Sequence, residues 1–284
     1  MAYTTDQLKT YWSENWRFDN FLGLSKLAVL FPNELRQEGA QMNSIVKIPV
    51  MTEAVTQNDW SQETGFVENN SHEKIVEMKL SENFTSYTKI AAVNIPGPNW
   101  AANKMMVIER QEAKAYDDHA LKTIYNGVKE TIPFQEVTKD NFIEVFKKIE
   151  KQAKKDKWLI SDGLLLISPK IATLIANSKL NQLTQSLENT SIIINTILNK
   201  YNCVECDVDD YGYDIVALLP SAYVWASYVE TPLQSGEYTQ GPYYGQIFTV
   251  INKWYNGEII QADKILGFKN ADTPTQPTNP NIEN

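Results

Sequence analysis

The stretch WLISDGLLLISPKIATLI, residues 158–175, constrains the fold more than any other part of the chain. Its first half is apolar without alternation, which predicts a central strand or strand pair buried on both faces. Such a strand needs a layer of structure above it and another below. Ser168 then reads as a helix N-cap, because its hydroxyl can accept from an orphan amide of the first turn. Pro169 reads as the first helical residue, where its missing amide is no loss. KIATLIANS is the expected helix. A further helical segment is expected over about 180–198, through Leu183, Leu187, Ile194 and Ile197. Strand-to-helix turns often hold ligands in α/β enzymes, yet this one has no glycine-rich loop, no nucleophile elbow and no metal ligand.

The neighbouring segments supply candidate layers. AANKMMVIERQEAKAYDDHALKTIYNGV, residues 101–128, is rich in strong helix formers, carries a stripe of Ala113, Ala120, Leu121 and Ile124, and stops at Asn126-Gly127. A second helix is expected near 140–155, capped by Thr138 or Asp140, with Phe142, Val145, Phe146, Ile149 and Ala153 on its inner face. Lys147, Lys148, Lys151, Lys154 and Lys155 lie elsewhere on it, near the C-terminal end where cations suit the helix dipole, and read as a solvated face. Strand patterns return in CVECDV, YDIVALLP, AYVWASYVE, QIFTVINKWY and EIIQADKILGF. The expected class is α+β, with strands predominating after residue 200.

The N-terminal third is of a different texture. Phe18, Phe21, Leu22, Leu24, Leu27 and Leu30 are exposed unless something covers them, either the chain's own core or a neighbouring subunit. NSIVKIPVM and EKIVEMKL frame a polar, turn-rich stretch, which predicts a long hairpin with an edge wet on one side. Trp60 and Phe66 sit in its polar tip, TQNDWSQETGFVENN, and are costly to leave in water. The tail NADTPTQPTNPNIEN has three prolines and no aromatic, the composition of a disordered segment.

Composition and motif content disfavour most chemistry. With 284 residues the chain can bury a substantial core. A formal charge of −9, with arginine only at Arg17, Arg36 and Arg110, gives no basic stripe for gripping phosphates. No apolar run approaches the roughly 20 residues of a membrane helix, and the N-terminus lacks a signal-peptide layout, so an intracellular, soluble product is expected. Cys203 and Cys206 form a C-x-x-C, but strand-type and acidic residues follow instead of a helix N-terminus. Carboxylates raise a thiol pKa, and zinc needs about four ligands where the sequence offers no second pair. His72 and His119 are the only histidines and lie in different elements. Asp117, Asp118 and His119 fall within one helix, so they point different ways around its axis. DVDDYGYD lacks the spacing of a calcium loop. No catalytic, cofactor-binding or metal-ligating residue is assigned, and no cofactor is implied.

Seven Trp and fourteen Tyr, an uncovered arm and a hairpin too polar to be core suggest a chain built to assemble. In order and texture the sequence resembles the major capsid proteins of tailed double-stranded DNA phages, a shell fold shared with encapsulins. The resemblance spans about residues 15–270. It rests on residues 44–96 as the long E-loop hairpin with its flanking strands, on ERQEAKAYDDHALKTIYNG as the end of a spine helix, and on KWLISDGLLLISPKIATLI as the axial-domain strand that runs through Ser-Pro into a helix. It implies an arm at 1–47, an E-loop at 48–88, a peripheral domain of 89–156 with 228–256, an axial domain of 157–227 with 257–270, and a disordered tail at 271–284. It also implies hexamers and pentamers of the chain in an icosahedral virion shell, made in the host bacterial cytoplasm, which encloses DNA without sequence-specific binding. Because the chain starts almost directly at the arm, scaffolding is expected from a separate protein, alongside a portal, or the chain is a mature form from which a scaffolding segment has been removed; Met1 favours the first. The rival readings are an encapsulin-like compartment shell, a thiol- or zinc-dependent enzyme using Cys203 and Cys206, and a phage tail-tube protein, which the long helix argues against.

Overall fold

The computed structural model describes residues 6–7, 10–11, 24–32, 45–51, 73–91, 98–128, 130–134, 137–138, 140–176, 187–189, 192–197 and 201–270. The hairpin tip with Trp60 and Phe66, the segment with Phe18, Phe21 and Leu22, His72 and the tail lie outside these residues.

Twelve strands and three α-helices are described. The strands are β1 (Ile45–Met51), β2 (Glu73–Lys79), β3 (Glu82–Ala91), β4 (Glu130–Phe134), β5 (Leu164–Ile167), β6 (Leu187–Asn189), β7 (Ile192–Ile197), β8 (Tyr201–Glu205), β9 (Ile215–Leu218), β10 (Tyr223–Glu237), β11 (Gln246–Ile259) and β12 (Ile265–Asn270). The helices are α1 (Pro98–Asn126), α2 (Phe142–Lys155) and α3 (Pro169–Ala176). The strands form three sheets: the antiparallel ribbon β1-β2, the three-stranded β10-β11-β3, and a seven-stranded sheet of order β4-β12-β9-β5-β8-β7-β6.

β5 sits at the middle of the large sheet, paired parallel with β8 and antiparallel with β9. All four of its residues are buried, as the unbroken apolar run requires. Leu164 and Leu166 face a core shared with α1, Val204, Val216 and Trp225. Leu165 and Ile167 face the opposite core, shared with α2, α3, Ile215, Ala217 and Phe268. The strand is shorter than the apolar stretch suggests, because Ile160–Asp162 forms a 3-10 turn before it. Ser168 caps α3 as its position implies: its Oγ accepts from the Ile171 amide at 3.4 Å, and its carbonyl accepts from Ala172 at 2.9 Å.

α2 buries the five residues its periodicity marks out, Phe142, Val145, Phe146, Ile149 and Ala153. Its N-cap is Asn141, not Thr138 or Asp140. The Asn141 side-chain oxygen accepts from the Thr138 amide at 2.7 Å, so the loop leading in is braced and the helix starts one residue later. Where the segment 180–198 is described, at 187–189 and 192–197, it forms two strands instead of the expected helix: β6 pairs antiparallel with β7, and β7 with β8. The β-branched run Ile-Ile-Ile-Asn-Thr-Ile of β7 extends the sheet, and the Leu spacing that suggested a helix is overridden.

α1 spans the two larger sheets. Its N-terminal half packs Ala101 and Ile108 on Ile247 and Ile251 of β11. Its C-terminal half packs Tyr116, Ala120 and Ile124 into the core of the seven-stranded sheet. The β1-β2 ribbon buries Ile48, Val50, Met78 and Leu80 against Val224 and Ala226 of β10. The segment 24–32 lies on the chain's own core, with Leu27, Ala28 and Phe31 buried and Leu24 and Leu30 packed alongside. This part of the arm therefore follows the self-packed alternative.

Candidate assembly surfaces

The residues with a chemical reputation are not brought together. Cys203 and Cys206 are both free thiols. Cys203 belongs to the core beneath α2 and α3, and Cys206 to the core beneath α1, so the two lie on opposite faces of the large sheet. Burial pushes each thiol up to about 12, far from the thiolate that redox or metal chemistry requires. No group of three or more His, Cys, Asp or Glu able to hold a metal ion occurs among the described residues.

Asp117, Asp118 and His119 diverge around α1. His119 Nε2 lies 2.9 Å from Asn256 Oδ1 on β11, and its ring meets Tyr255 edge-on. Asp118 is exposed. Asp117 turns toward the arm: its Oδ1 accepts from Ser25 Oγ at 2.6 Å and from the Leu27 amide at 3.1 Å, and its Oδ2 accepts from the Lys26 amide at 3.1 Å. Ser25 Oγ in turn accepts from the Ala28 amide at 3.0 Å. Burial raises the Asp117 carboxyl above the ordinary carboxylate value, while the Ser25, Lys26 and Leu27 donors pull it back. The carboxylate is a clasp that fixes the arm's turn to the helix. Beside it lies an open groove of about 250 Å³, bordered by Leu24, Lys26, Arg110, Lys114 and Cys206.

A second buried group was not foreseen from the sequence. Lys253 of β11 donates to Glu112 of α1 at 2.5 Å, with both side chains almost wholly removed from solvent. Burial lowers the Lys253 pKa and Glu112 pulls it back up. Ile247, Thr249, Ile251, Lys253 and Tyr255 alternate onto the face of β11 that α1 covers. That alternation was the available signal for Lys253, since it places a lysine in register with core residues.

Among the described residues, exposed apolar side chains gather at three places. The ribbon hides Val46, Ile48 and Met78 but turns Ile45 and Ile75 outward, beside the exposed Lys47–Glu77 pair at 3.4 Å. On α1, Met106 and Val107 are exposed. At the far end of the three-stranded sheet, the β10-β11 turn gathers Tyr238, Tyr243 and Phe248 around Tyr87, with the Lys89 ammonium 3.5 Å from the Tyr243 ring centre. Tyr244 at this tip is 74% exposed. Gly241 and Gly245 take the positive φ angles that close the turn.

No protein-family model matches the sequence, and no curated protein does either. Solved structures do match. The mature capsid of bacteriophage PhiM1 aligns over 89% of this chain and 87% of its own, with a TM-score of 0.57 and 14% identity. The capsid of cyanophage P-SCSP1u aligns over 85% and 86%, at 0.58 and 10%. A virus-like particle from Pyrococcus furiosus aligns over 88% and 95%, at 0.56 and 8%.

The fold is the Hong Kong 97-like capsid fold.

In this fold the β1-β2 ribbon precedes the long helix α1 along the chain. The chain's distinctive features are then not clefts but faces: the outer side of the ribbon, the tyrosine-rich tip and the charged flanks of the large sheet. No helix among the described residues is long and apolar enough to cross a membrane.

Proposed function

We propose that this chain is the major capsid protein of a tailed phage, whose copies assemble as hexamers and pentamers into an icosahedral shell around double-stranded DNA. The observation that carries the reading is a capsid fold over nearly the whole chain, combined with aromatic and aliphatic side chains left uncovered at several separate extremities. A monomer gains nothing from a tyrosine tip and an outward-facing Ile45–Ile75 ribbon, whereas a subunit with several neighbours buries them. The net charge of −9 suits a wall that encloses DNA without adhering to it.

In this reading 1–47 is the arm, 48–88 the E-loop, 89–156 with 228–256 the peripheral domain, 157–227 with 257–270 the axial domain, and 271–284 a free tail. A scaffolding protein and a portal act as separate partners, the shell forms in the host cytoplasm, and the shell role itself calls for no catalytic residue. The fold match to the Pyrococcus furiosus particle favours one second reading, a compartment shell that holds something other than a genome.

Sedimentation and negative-stain imaging of the protein expressed alone and with its neighbouring genes test the proposal. Capsomers or closed shells are expected, with nuclease-protected DNA once the packaging partners are present. A monomer under all assembly conditions overturns the shell reading. Closed shells that never protect DNA and instead retain a protein cargo select the compartment.

A further inference from the structure

The charge of this chain is unevenly placed. Residues 142–157 hold six lysines against three carboxylates, so this one segment is net +3 and the remainder of the chain is −12. α2 buries its apolar stripe, which directs Lys147, Lys148, Lys151, Lys154 and Lys155 into solvent, all exposed. At 100° per residue they fall within an arc of about 120°. Lys154 pairs with Glu150 at 2.8 Å. Lys147, Lys148, Lys151 and Lys155 have no acidic partner among the described residues.

An acidic surface lies on the other side of the same sheet. Glu205, Asp207, Asp209 and Asp210 are exposed within six residues, at the end of β8 and in the 3-10 turn Val208–Tyr211. Val208 points into the core under α1, and Tyr211 Oη donates to the Asp118 carbonyl at 3.3 Å, so the turn sits on the α1 side. α2 packs on the opposite core. Asp118 adds to the acidic field, which raises the Tyr211 pKa after burial has done so. Among the described residues, Lys26 donates to the Glu205 carbonyl at 3.3 Å, and Lys269 lies over Tyr213.

A basic flank and an acidic flank on opposite faces of one sheet cannot meet within a chain. They meet when copies follow one another around a rotation axis, the arrangement that a heterologous contact generates. Complementary charge also sets the handedness of such a ring, because the reversed contact opposes like charges.

We propose that the lysine face of α2 and the acidic turn at 205–210 are the two halves of one contact between adjacent copies of this chain. The inference rests on the shell reading and specifies which surfaces meet in the ring. The partner is a second copy and not the enclosed nucleic acid, because the acidic turn repels a polyanion and complements the lysine face.

Charge reversal tests this. Lys147→Glu with Lys148→Glu and Lys151→Glu reverses one half, and Asp207→Lys with Asp209→Lys and Asp210→Lys reverses the other. All six residues are exposed, so each triple variant should keep its circular dichroism spectrum and melting temperature. Each alone should lower the assembled fraction in sedimentation at least tenfold near 0.15 M salt, where exposed charges still act over about 8 Å. The variant carrying all six changes should regain assembly, and so should an equimolar mixture of the two triples, to a smaller extent.

Wild-type-like assembly of either triple variant overturns the contact, and so does failure of the sixfold variant to recover. If the lysine reversal leaves assembly unchanged but lowers the nuclease-protected DNA per shell, the face belongs to the polyanion and the proposal falls. A wild-type chain that never assembles refutes the shell reading itself, a result distinct from assembled shells that ignore these charges.

Discussion

The Lys253–Glu112 pair gives the sharpest test of how the helix is held to its sheet. Lys253→Met removes the cation and leaves the Glu112 carboxylate in a site about 2% exposed. Breaking one side of a buried pair costs about 3–5 kcal/mol, because the survivor is a desolvated charge without a counter-ion. Glu112→Gln should cost less. Burial already lowers the Lys253 pKa, so a lysine deprived of its partner can shed its proton and stay neutral. Lys253→Met with Glu112→Leu removes both charges of the pair from a seam that Ala101, Ile108, Ile247 and Ile251 line together with the buried Thr249 and Glu109. That double variant should return to within about 1 kcal/mol of the parent or exceed it. Urea unfolding followed by circular dichroism, at one protein concentration to hold assembly constant, reads all four proteins. At a slope of roughly 3 kcal/mol per molar, Lys253→Met should shift the midpoint down by about 1 M or more. A loss under about 1 kcal/mol for Lys253→Met, or single costs that simply add in the double variant, would refute the account.

Other outcomes follow from the same geometry. The raised pKa of Asp117 means that the folded state holds its proton more tightly than the unfolded chain; stability should therefore fall as pH rises from the ordinary carboxylate value through the raised one, and this slope should vanish in Asp117→Asn, measured by melting temperature across pH 3.5–7. With both thiols pushed to about 12, the native protein should show no fast-reacting cysteine at pH 8 and two after unfolding, and rapid labelling of the native form would contradict the opposed burial of Cys203 and Cys206. Gly257→Ala puts a methyl group into the ring of the fully buried Tyr223 and should cost about 1–3 kcal/mol, seen as a melting point several degrees lower, whereas an unchanged melting point would mean that the ring is free to move.

Those predictions fall on residues that differ in how well the sequence announces them. The buried strand, the Ser168 cap and the inner face of α2 are legible because burial on both faces, an orphan amide and a 3.6-residue period each leave a local mark. The β6-β7 pair is not, since Leu187, Ile194 and Ile197 satisfy a helical spacing as well as a strand, and only pairing with β8 decides between them. Cys203 and Cys206 share a motif, but the strand's alternation and the turn that follows send them to different cores, a separation visible only once the sheet has two covered faces. The clasp at Asp117 joins residues about 90 positions apart in sequence, and no pattern within either segment points to the other.

An identity of 8–14% to the matched capsids sits alongside a shared fold because the architecture asks for patterns that many sequences meet. β5 needs four residues that fill two cores, and Leu, Ile and Val serve nearly alike when volumes are kept. α1 needs small residues where it crosses the sheets, which Ala101, Ala113 and Ala120 provide. What such a pattern leaves free is the outer surface, and there this chain is particular: an uncharged tyrosine tip, a ribbon with Ile45 and Ile75 outward, and lysines and carboxylates sorted to opposite flanks. In the proposed shell, a subunit that meets several neighbours at once cannot place all its uncovered groups on one patch. Separation of these surfaces around a sheet packed on both faces fits the repeated contact about more than one axis that the proposed shell calls for.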